Sequence, residues 1–285
     1  MNFSVLATIA RLFVYPIKSC AGVEVQEALL TETGLEFDRA WMVVDAAGTF
    51  VTQRELPRMA LVQPQLKHFE MVLRAPGMLA LHIELQKAEQ PCRVKVWSDE
   101  VSAYDMGDVA AQWFSDFLGR KVRLVRFDPA QKRLSSKKWT GNVDAENQFS
   151  DGFPVLVASV ASLHELNLKL TQAGHPAVTM ARFRPNIILA GVHAHDEDRL
   201  DVLHISTPEG EVQLQGVKPC PRCPIPNIDP LTALSSHTVG DMLQTYRANP
   251  VVDGAVTFGM NAIVLTGVDC GLRLGQAVQA DYKFD

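Results

Sequence analysis

The chain is short of the features that mark most specialised protein classes. Only 7% of its 285 residues are aromatic, and 27 Lys+Arg against 32 Asp+Glu leave a net charge of −5. Nucleic-acid surfaces rest on clustered cations and, for single strands, on stacking rings, and neither is in supply. The one basic cluster, Lys132, Arg133, Lys137 and Lys138 around Ser135-Ser136, reads as a solvated loop. No apolar stretch approaches the roughly 20 residues that cross a bilayer. Met1 to Ala10 has no basic segment ahead of its apolar residues and Arg11 interrupts them, so the start does not read as a secretory leader. Five cysteines are an odd number in a long chain, poor material for a disulfide framework and consistent with a reducing compartment. The expected location is the cytoplasm. A glycine fingerprint for nicotinamide or flavin is missing, as is the cysteine spacing of a plant-type ferredoxin.

What is present is core-forming material. Hydrophobic residues make up 47% of the chain, enough for one large or two ordinary domains at roughly 100–200 residues each. The first hundred residues read as short strands separated by turns. Ala7–Tyr15 ends at Pro16, Ala40–Val44 and Thr49–Thr52 flank Asp45-Ala46-Ala47-Gly48, and Met71–Leu73 and Leu79–Leu85 flank Ala75-Pro76-Gly77. Arg93–Trp97 follows. Strands so closely spaced, with no helices between them, suggest a barrel or a sandwich. The first helix starts at Asp108, read as its N-cap, and carries Ala110, Trp113, Phe114, Phe117 and Leu118 on one face before Gly119 stops it. A strand, Lys121–Phe127, comes next. The polar stretch 128–151 reads as a loop and a boundary, which divides the chain into 1–127 and 128–285.

Beyond the boundary, a buried strand Val155–Ala158 leads to a helix that Ser162-Leu163-His164-Glu165 would open as a capping box and Gly174 would close. Ile187–Ala190, Leu203–Ser206, Val212–Val217, Ala262–Leu265 and Ala277–Ala280 read as strands, and Thr238 as the cap of a short helix through Tyr246. The expected fold class is mainly β with a few helices.

Two constellations could carry chemistry. Cys220-Pro221-Arg222-Cys223 lacks the four ligands of a structural zinc site. His193 and His195 could complete it only from what looks like an exposed polar loop, His195-Asp196-Glu197-Asp198. A thioredoxin-like pair would open a helix, which Pro224 and Pro226 oppose. What remains is either a thiolate beside Arg222, whose charge favours ionisation and which would suit a soft metal or sulfur chemistry, or a pair of structural thiols. The second constellation is Lys18-Ser19, Arg39 and Arg184-Pro185-Asn186, which together offer what an anionic phosphate or polar heterocycle requires.

These residues also stand in a recognisable order. Tyr15-Pro16-Ile17-Lys18-Ser19-Cys20-Ala21-Gly22, Gly34-Leu35 and Asp38-Arg39-Ala40-Trp41 resemble the N-terminal β-barrel region that precedes MOSC domains. Phe149-Ser150-Asp151-Gly152-Phe153-Pro154, Arg182-Phe183-Arg184-Pro185-Asn186-Ile187, Cys220-x-Arg-Cys223 and Phe258-Gly259-Met260-Asn261 resemble the MOSC domain, the module shared with molybdenum-cofactor sulfurases. The nearest likeness is to bacterial and mitochondrial amidoxime-reducing proteins, without the C-terminal ferredoxin domain that longer bacterial members carry.

The resemblance implies a β-barrel fold and a molybdenum cofactor, a pterin whose dithiolene holds molybdenum together with one protein cysteine. That cysteine is Cys223, with Arg222, Asn227 and Asp229 around the metal. Lys18, Ser19, Arg39, Arg184, Asn186, Phe258, Gly259 and Asn261 would hold or neighbour the pterin and its phosphate. It also implies reduction of small N-hydroxylated substrates by oxygen abstraction at molybdenum, with electrons from a ferredoxin or flavoprotein. Cofactor delivery or sulfur carriage is the alternative. One departure stands out. Pro224-Ile225-Pro226-Asn227-Ile228 precede Asp229-Pro230 where the reductases carry threonines.

Overall fold

In the computed structural model, which describes residues 3–87 and 90–283, the long strand Val5–Val14 alternates buried and exposed residues over its first half and is buried at its end. That pattern places Val5, Ala7 and Ile9 inside a barrel. The ring runs Val155–Ser159, Ile187–Ala190, Val5–Val14, Ala277–Tyr282, Leu200–Ser206, Glu211–Pro221, Ala255–Thr266 and back to Val155–Ser159, so seven strands close on themselves. All contacts around the ring are antiparallel except that of Val155–Ser159 with Ile187–Ala190. The closing contact is tight. A Cβ on Gly259 would lie 2.7 Å from Val157 O, and Gly259 has φ +79°, a backbone that glycine takes without strain. The interior is aliphatic, with Leu12, Leu30, Ile187, Leu189, Ile205 and Leu214 among its most buried members.

The barrel's first strand lies 140 residues before its second in sequence. Between them sits a smaller β-rich lobe. Its four-stranded sheet has the order Trp41–Val44, Arg123–Phe127, Asp99–Asp105, Gln90–Val96, and a three-stranded sheet joins Gln63–Leu66, Glu70–Arg74 and Leu81–Glu84. The helix Asp108–Leu118 packs Trp113, Phe114 and Phe117 into this lobe's core with Trp41 and Met59. A third small sheet, Gly271–Arg273, Glu27–Thr31 and Gly34–Leu35, ties the two ends of the chain together.

The expected fold class stands: the molecule is mostly β, with a closed barrel. Several local readings change. Asp108 is the first helical residue and Gly107 the cap position. The helix Val160–Gln172 is opened by Ser159, whose side chain accepts from Ser162 N, and closes at Ala173. Ser162 is thus interior and turns its hydroxyl to Glu197. Thr238 is likewise inside its helix, Thr238–Gln244, which ends short of Tyr246. Thr49–Thr52 makes only isolated bridges, Val44 to Phe50 and Thr49 to Lys95.

Two charged segments expected in water are packed wholly or in part; in the first, Lys132, Lys137 and Lys138 are exposed as expected and Arg133 is not. Arg133 is 7% exposed. It donates to Asn147 Oδ1 (2.6 Å) and to the carbonyls of Gln148 and Ser150, and pairs with Asp99. The loop curls around this guanidinium because its own carbonyls need donors. In the second segment, Asp196 and Glu197 are almost fully buried. Asp196 pairs with Arg199 and accepts from Tyr282, Glu197 accepts from Ser162, and Asp198 pairs with Arg247. The described residues contain no helix long and apolar enough to cross a membrane.

Candidate functional site

The site forms where the first barrel strand leaves the ring. Tyr15 N donates to Asp38 Oδ1 (2.8 Å), Arg39 N donates to Tyr15 O (2.8 Å), and Phe149 N donates to Arg39 O. The chain thus pins Arg39 between the strand end and the segment that enters the barrel's second half. Lys18 and Ser19 sit in the following turn, closed by Cys20 N donating to Ile17 O. Arg184 precedes the Ile187–Ala190 strand, which pairs with Val5–Val14. Ser19, Arg39 and Arg184 have φ of 69°, 51° and 59°. Non-glycine residues seldom take this left-handed conformation, and it concentrates where a fold holds side chains for function.

These side chains meet in one cavity, lined by Lys18, Ser19, Arg39, Arg184, Asn186, Arg222, Cys223 and Asn261 among others. Arg39 donates from Nη2 to Arg184 O (3.0 Å) and from Nη1 to Asn186 Oδ1 (3.2 Å), and pairs with the buried Asp38. Both Arg39 and Arg184 lie 4.3 Å from the centroid of the Tyr15 ring. Lys18 Nζ donates to Phe149 O (2.8 Å) and pairs with Asp151.

The charge balance is the decisive feature. Asp38 answers Arg39 and Asp151 answers Lys18, but Arg184 forms no ion pair with a described carboxylate: its Nη1 donates to Cys20 O and its Nη2 has no partner. Burial, with Arg39 close by, pushes the Arg184 guanidinium down to about 10, and burial also pushes Lys18 down against the pull of Asp151. Arg222, on the same cavity wall, also leaves its Nε unpartnered. Unmatched buried donors are costly, so a pocket that keeps them is shaped for an anion.

Cys220 and Cys223 are half-buried free thiols at the end of the Glu211–Pro221 strand. Three irregularities in that strand's ladder let it bend toward the cavity. Both cysteines line it. Arg222 turns to Cys220, not Cys223: its Nη1 lies 3.1 Å from Cys220 Sγ, and its Nη2 donates to Phe183 O.

Four of the expected residues do not line the cavity. Asn227 is buried and accepts from Gly240 N (2.8 Å), fixing the short 238–244 helix. Asp229 pairs with Arg182 and accepts from Leu231 N, which shapes the loop after the cysteines. Phe258 stacks on Phe183 with ring centroids 3.9 Å apart, and Gly259 closes the barrel. Of Pro224-Ile225-Pro226-Asn227-Ile228, Ile225 lines the cavity and the other four do not. Sequence reasoning missed Tyr15 as the ring beneath the guanidiniums, Asp38 as the brace of Arg39, and Arg54, which lines the cavity from the other lobe. Asp38 beside Arg39 was a readable signal. Arg54 offered none.

Residues 6–121 match the MOSC N-terminal beta barrel domain and residues 144–279 match the MOSC domain. The chain belongs to the MOSC family. It is 36% identical to mitochondrial amidoxime reducing component 2 of Bos taurus over 85% of this chain and 73% of the relative. Against the Homo sapiens protein of the same name it is 34% identical, with the same shares covered. A molybdenum cofactor sulfurase of Bos taurus is 31% identical over 95% of this chain, but only 32% of that longer protein is covered. The MOSC cavity therefore draws on both matched regions: Lys18, Arg39 and Arg54 from the first, Arg184, Cys223 and Asn261 from the second.

Proposed function

We propose that this MOSC protein is a molybdenum-cofactor enzyme that reduces N-hydroxylated compounds, such as amidoximes and hydroxylamines. Each turnover consumes two electrons and two protons, converts N–OH to N–H and releases water. The electrons come from a separate ferredoxin or flavoprotein. The observation that carries the reading is the unanswered positive charge in the cavity that Cys223 lines, with Arg184 Nη2 and Arg222 Nε lacking partners.

The residues present fit a phosphorylated pterin that carries molybdenum. Among the described residues no three His, Cys, Asp or Glu side chains cluster to hold a metal ion, so a metal beside Cys223 would arrive with most of its own ligands, as a dithiolene-held metal does. Cys223 would add one soft thiolate. Lys18, Ser19, Arg39 and Arg184 would take the phosphate through charge-assisted hydrogen bonds. Asp38 and Asn186 keep Arg39 aimed, and the Tyr15 ring packs against both guanidiniums. When bound, the group supplies the two-electron oxygen-transfer chemistry, and the chain supplies position and charge.

The test is metal and pterin analysis of protein made in a cofactor-competent host, followed by benzamidoxime reduction with an artificial electron donor. Molybdenum, pterin and turnover together support the proposal; absence of molybdenum and pterin removes it. The match to molybdenum cofactor sulfurase over 95% of the chain favours a second reading, cofactor delivery. That reading expects molybdenum and pterin without turnover.

A further inference from the structure

A second cavity, of about 620 Å³, opens on the other side of Cys223. It shares Arg54, Asp151, Gly152, Phe153, Pro221 and Cys223 with the cationic pocket, so the two are continuous at the cysteine. Its outer walls are different in character. They present Trp97, Leu134 and Trp139, with Arg54 and Lys218 beside them.

Trp97 and Leu134 are each 47% exposed. The molecule has only four tryptophans; Trp41 and Trp113 are core residues, and the other two stand in this trough. Trp97 is held there against local preference. It turns the chain between the strands Gln90–Val96 and Asp99–Asp105 with φ 55°, a conformation that glycine or asparagine would take at less cost and a bulky residue seldom adopts. Its indole is also fixed in direction. Nε1 donates to Asp151 Oδ1 (3.1 Å), the oxygen that receives Lys18 Nζ. The orientation of the ring is thereby tied to the cofactor-side pocket.

The charges in the trough are one-sided. Arg133 is answered by Asp99, but Arg54 and Lys218 form no ion pair with a described carboxylate. Each lies instead over a ring, Arg54 4.7 Å from the Trp97 centroid and Lys218 5.0 Å from that of Trp139. Aromatic faces and guanidinium planes accept flat π-systems, and the two unpaired cations disfavour a cationic one.

We propose that this trough seats the planar aromatic or heteroaromatic body of the molecule being reduced, neutral or anionic, with its N–OH directed at Cys223. Trp97, Trp139 and Arg54 are then specificity-determining residues. The assignment rests on the function proposed above, but its test has an arm that does not need turnover.

Benzamidoxime and acetamidoxime share the reacting group and differ in the ring. The protein loaded with cofactor should prefer benzamidoxime in kcat/KM, and Trp139→Ala and Trp97→Phe should each lower that preference, Trp139→Ala by about tenfold, through KM more than kcat. In parallel, benzamidoxime is titrated into protein with no electron donor while tryptophan fluorescence is followed. The expected result is saturable quenching that acetamidoxime does not produce and that Trp139→Ala weakens. Trp139→Leu keeps apolar bulk and controls for folding; it should lose selectivity as well. An unchanged benzamidoxime-to-acetamidoxime ratio in all three variants would overturn the proposal, as would titrations without quenching. Quenching without turnover keeps the trough as a ring-binding site and removes the reductase reading instead.

Discussion

Arg184 carries the sharpest consequence at the scale of single residues. Its Nη2 is buried without a partner while its Nη1 donates to Cys20 O, so removing the side chain costs the fold one buried hydrogen bond and costs an anionic cofactor a charged donor. Such a hydrogen bond is worth about 1.5–3 kcal/mol, roughly ten- to hundredfold in affinity. Arg184→Ala is expected to purify with much less pterin, and so is Arg39→Lys, which keeps a cation for the buried Asp38 but loses the guanidinium fork; fluorescence of oxidised pterin released from the protein measures both. Normal pterin in the two variants would remove the guanidiniums from the site. The contact of Arg222 with Cys220 Sγ is equally informative. In the sequence Arg222 stands beside Cys223 and supports a thiolate there, but the geometry directs it to Cys220. The residue types of the site were legible through their likeness to a family. Their meeting was not, because the Arg39–Arg184 contact spans 145 positions and no local pattern records that separation.

Among the elements, the strongest prediction concerns the start of the Val160–Gln172 helix. Glu197 is 1% exposed beneath it and accepts from Ser162 Oγ at 2.6 and 2.8 Å. Burial pushes its carboxyl from 4.5 up to about 7. The folded state therefore holds this proton more tightly than the unfolded chain. The stability it contributes is fully present below about pH 4.5 and is lost as pH rises through 7, up to roughly 3 kcal/mol in all. Glu197→Gln should flatten that slope. Denaturation midpoints at pH 5 and pH 8 measure it, and parallel behaviour of the variant and the native protein would contradict it. This segment also shows what sequence hides. A run of Asp196, Glu197 and Asp198 looks solvated until Ser162 and Arg247 arrive from elsewhere to join the adjacent Arg199 in satisfying it. Strands with strong β composition were legible, and Ile187–Ala190 was read with its observed limits. Val23–Val25, Gly34–Leu35 and Gly271–Arg273 were not. Elements of two or three residues are made by their partners, and the partner of Gly271–Arg273 lies at Glu27–Thr31.

For the molecule as a whole, the barrel decides how the chain can be divided. Val5–Val14 supplies one stave and pairs with both Ile187–Ala190 and Ala277–Tyr282. A fragment comprising residues 128–285 would expose both partner edges and should fail to show a cooperative melt alone; a cooperative transition in circular dichroism would contradict this. Electron supply is also a whole-molecule property. Once Cys223 is assigned to the metal, Cys20, Cys92 and Cys270 lie in three separate cores, too dispersed for an iron–sulfur cluster. Purified protein should therefore be inactive with NADH alone and active with a reduced dye, and NADH-driven turnover would refute that dependence. The central claim is that Cys223 holds a pterin-bound molybdenum. It is tested most directly by the molybdenum-to-protein ratio, with pterin content, of native, Cys220→Ser and Cys223→Ser proteins from the same cofactor-competent host. The account predicts molybdenum in the native protein, little change in Cys220→Ser, and loss of metal in Cys223→Ser. Full molybdenum in Cys223→Ser, or none in the native protein, would contradict it.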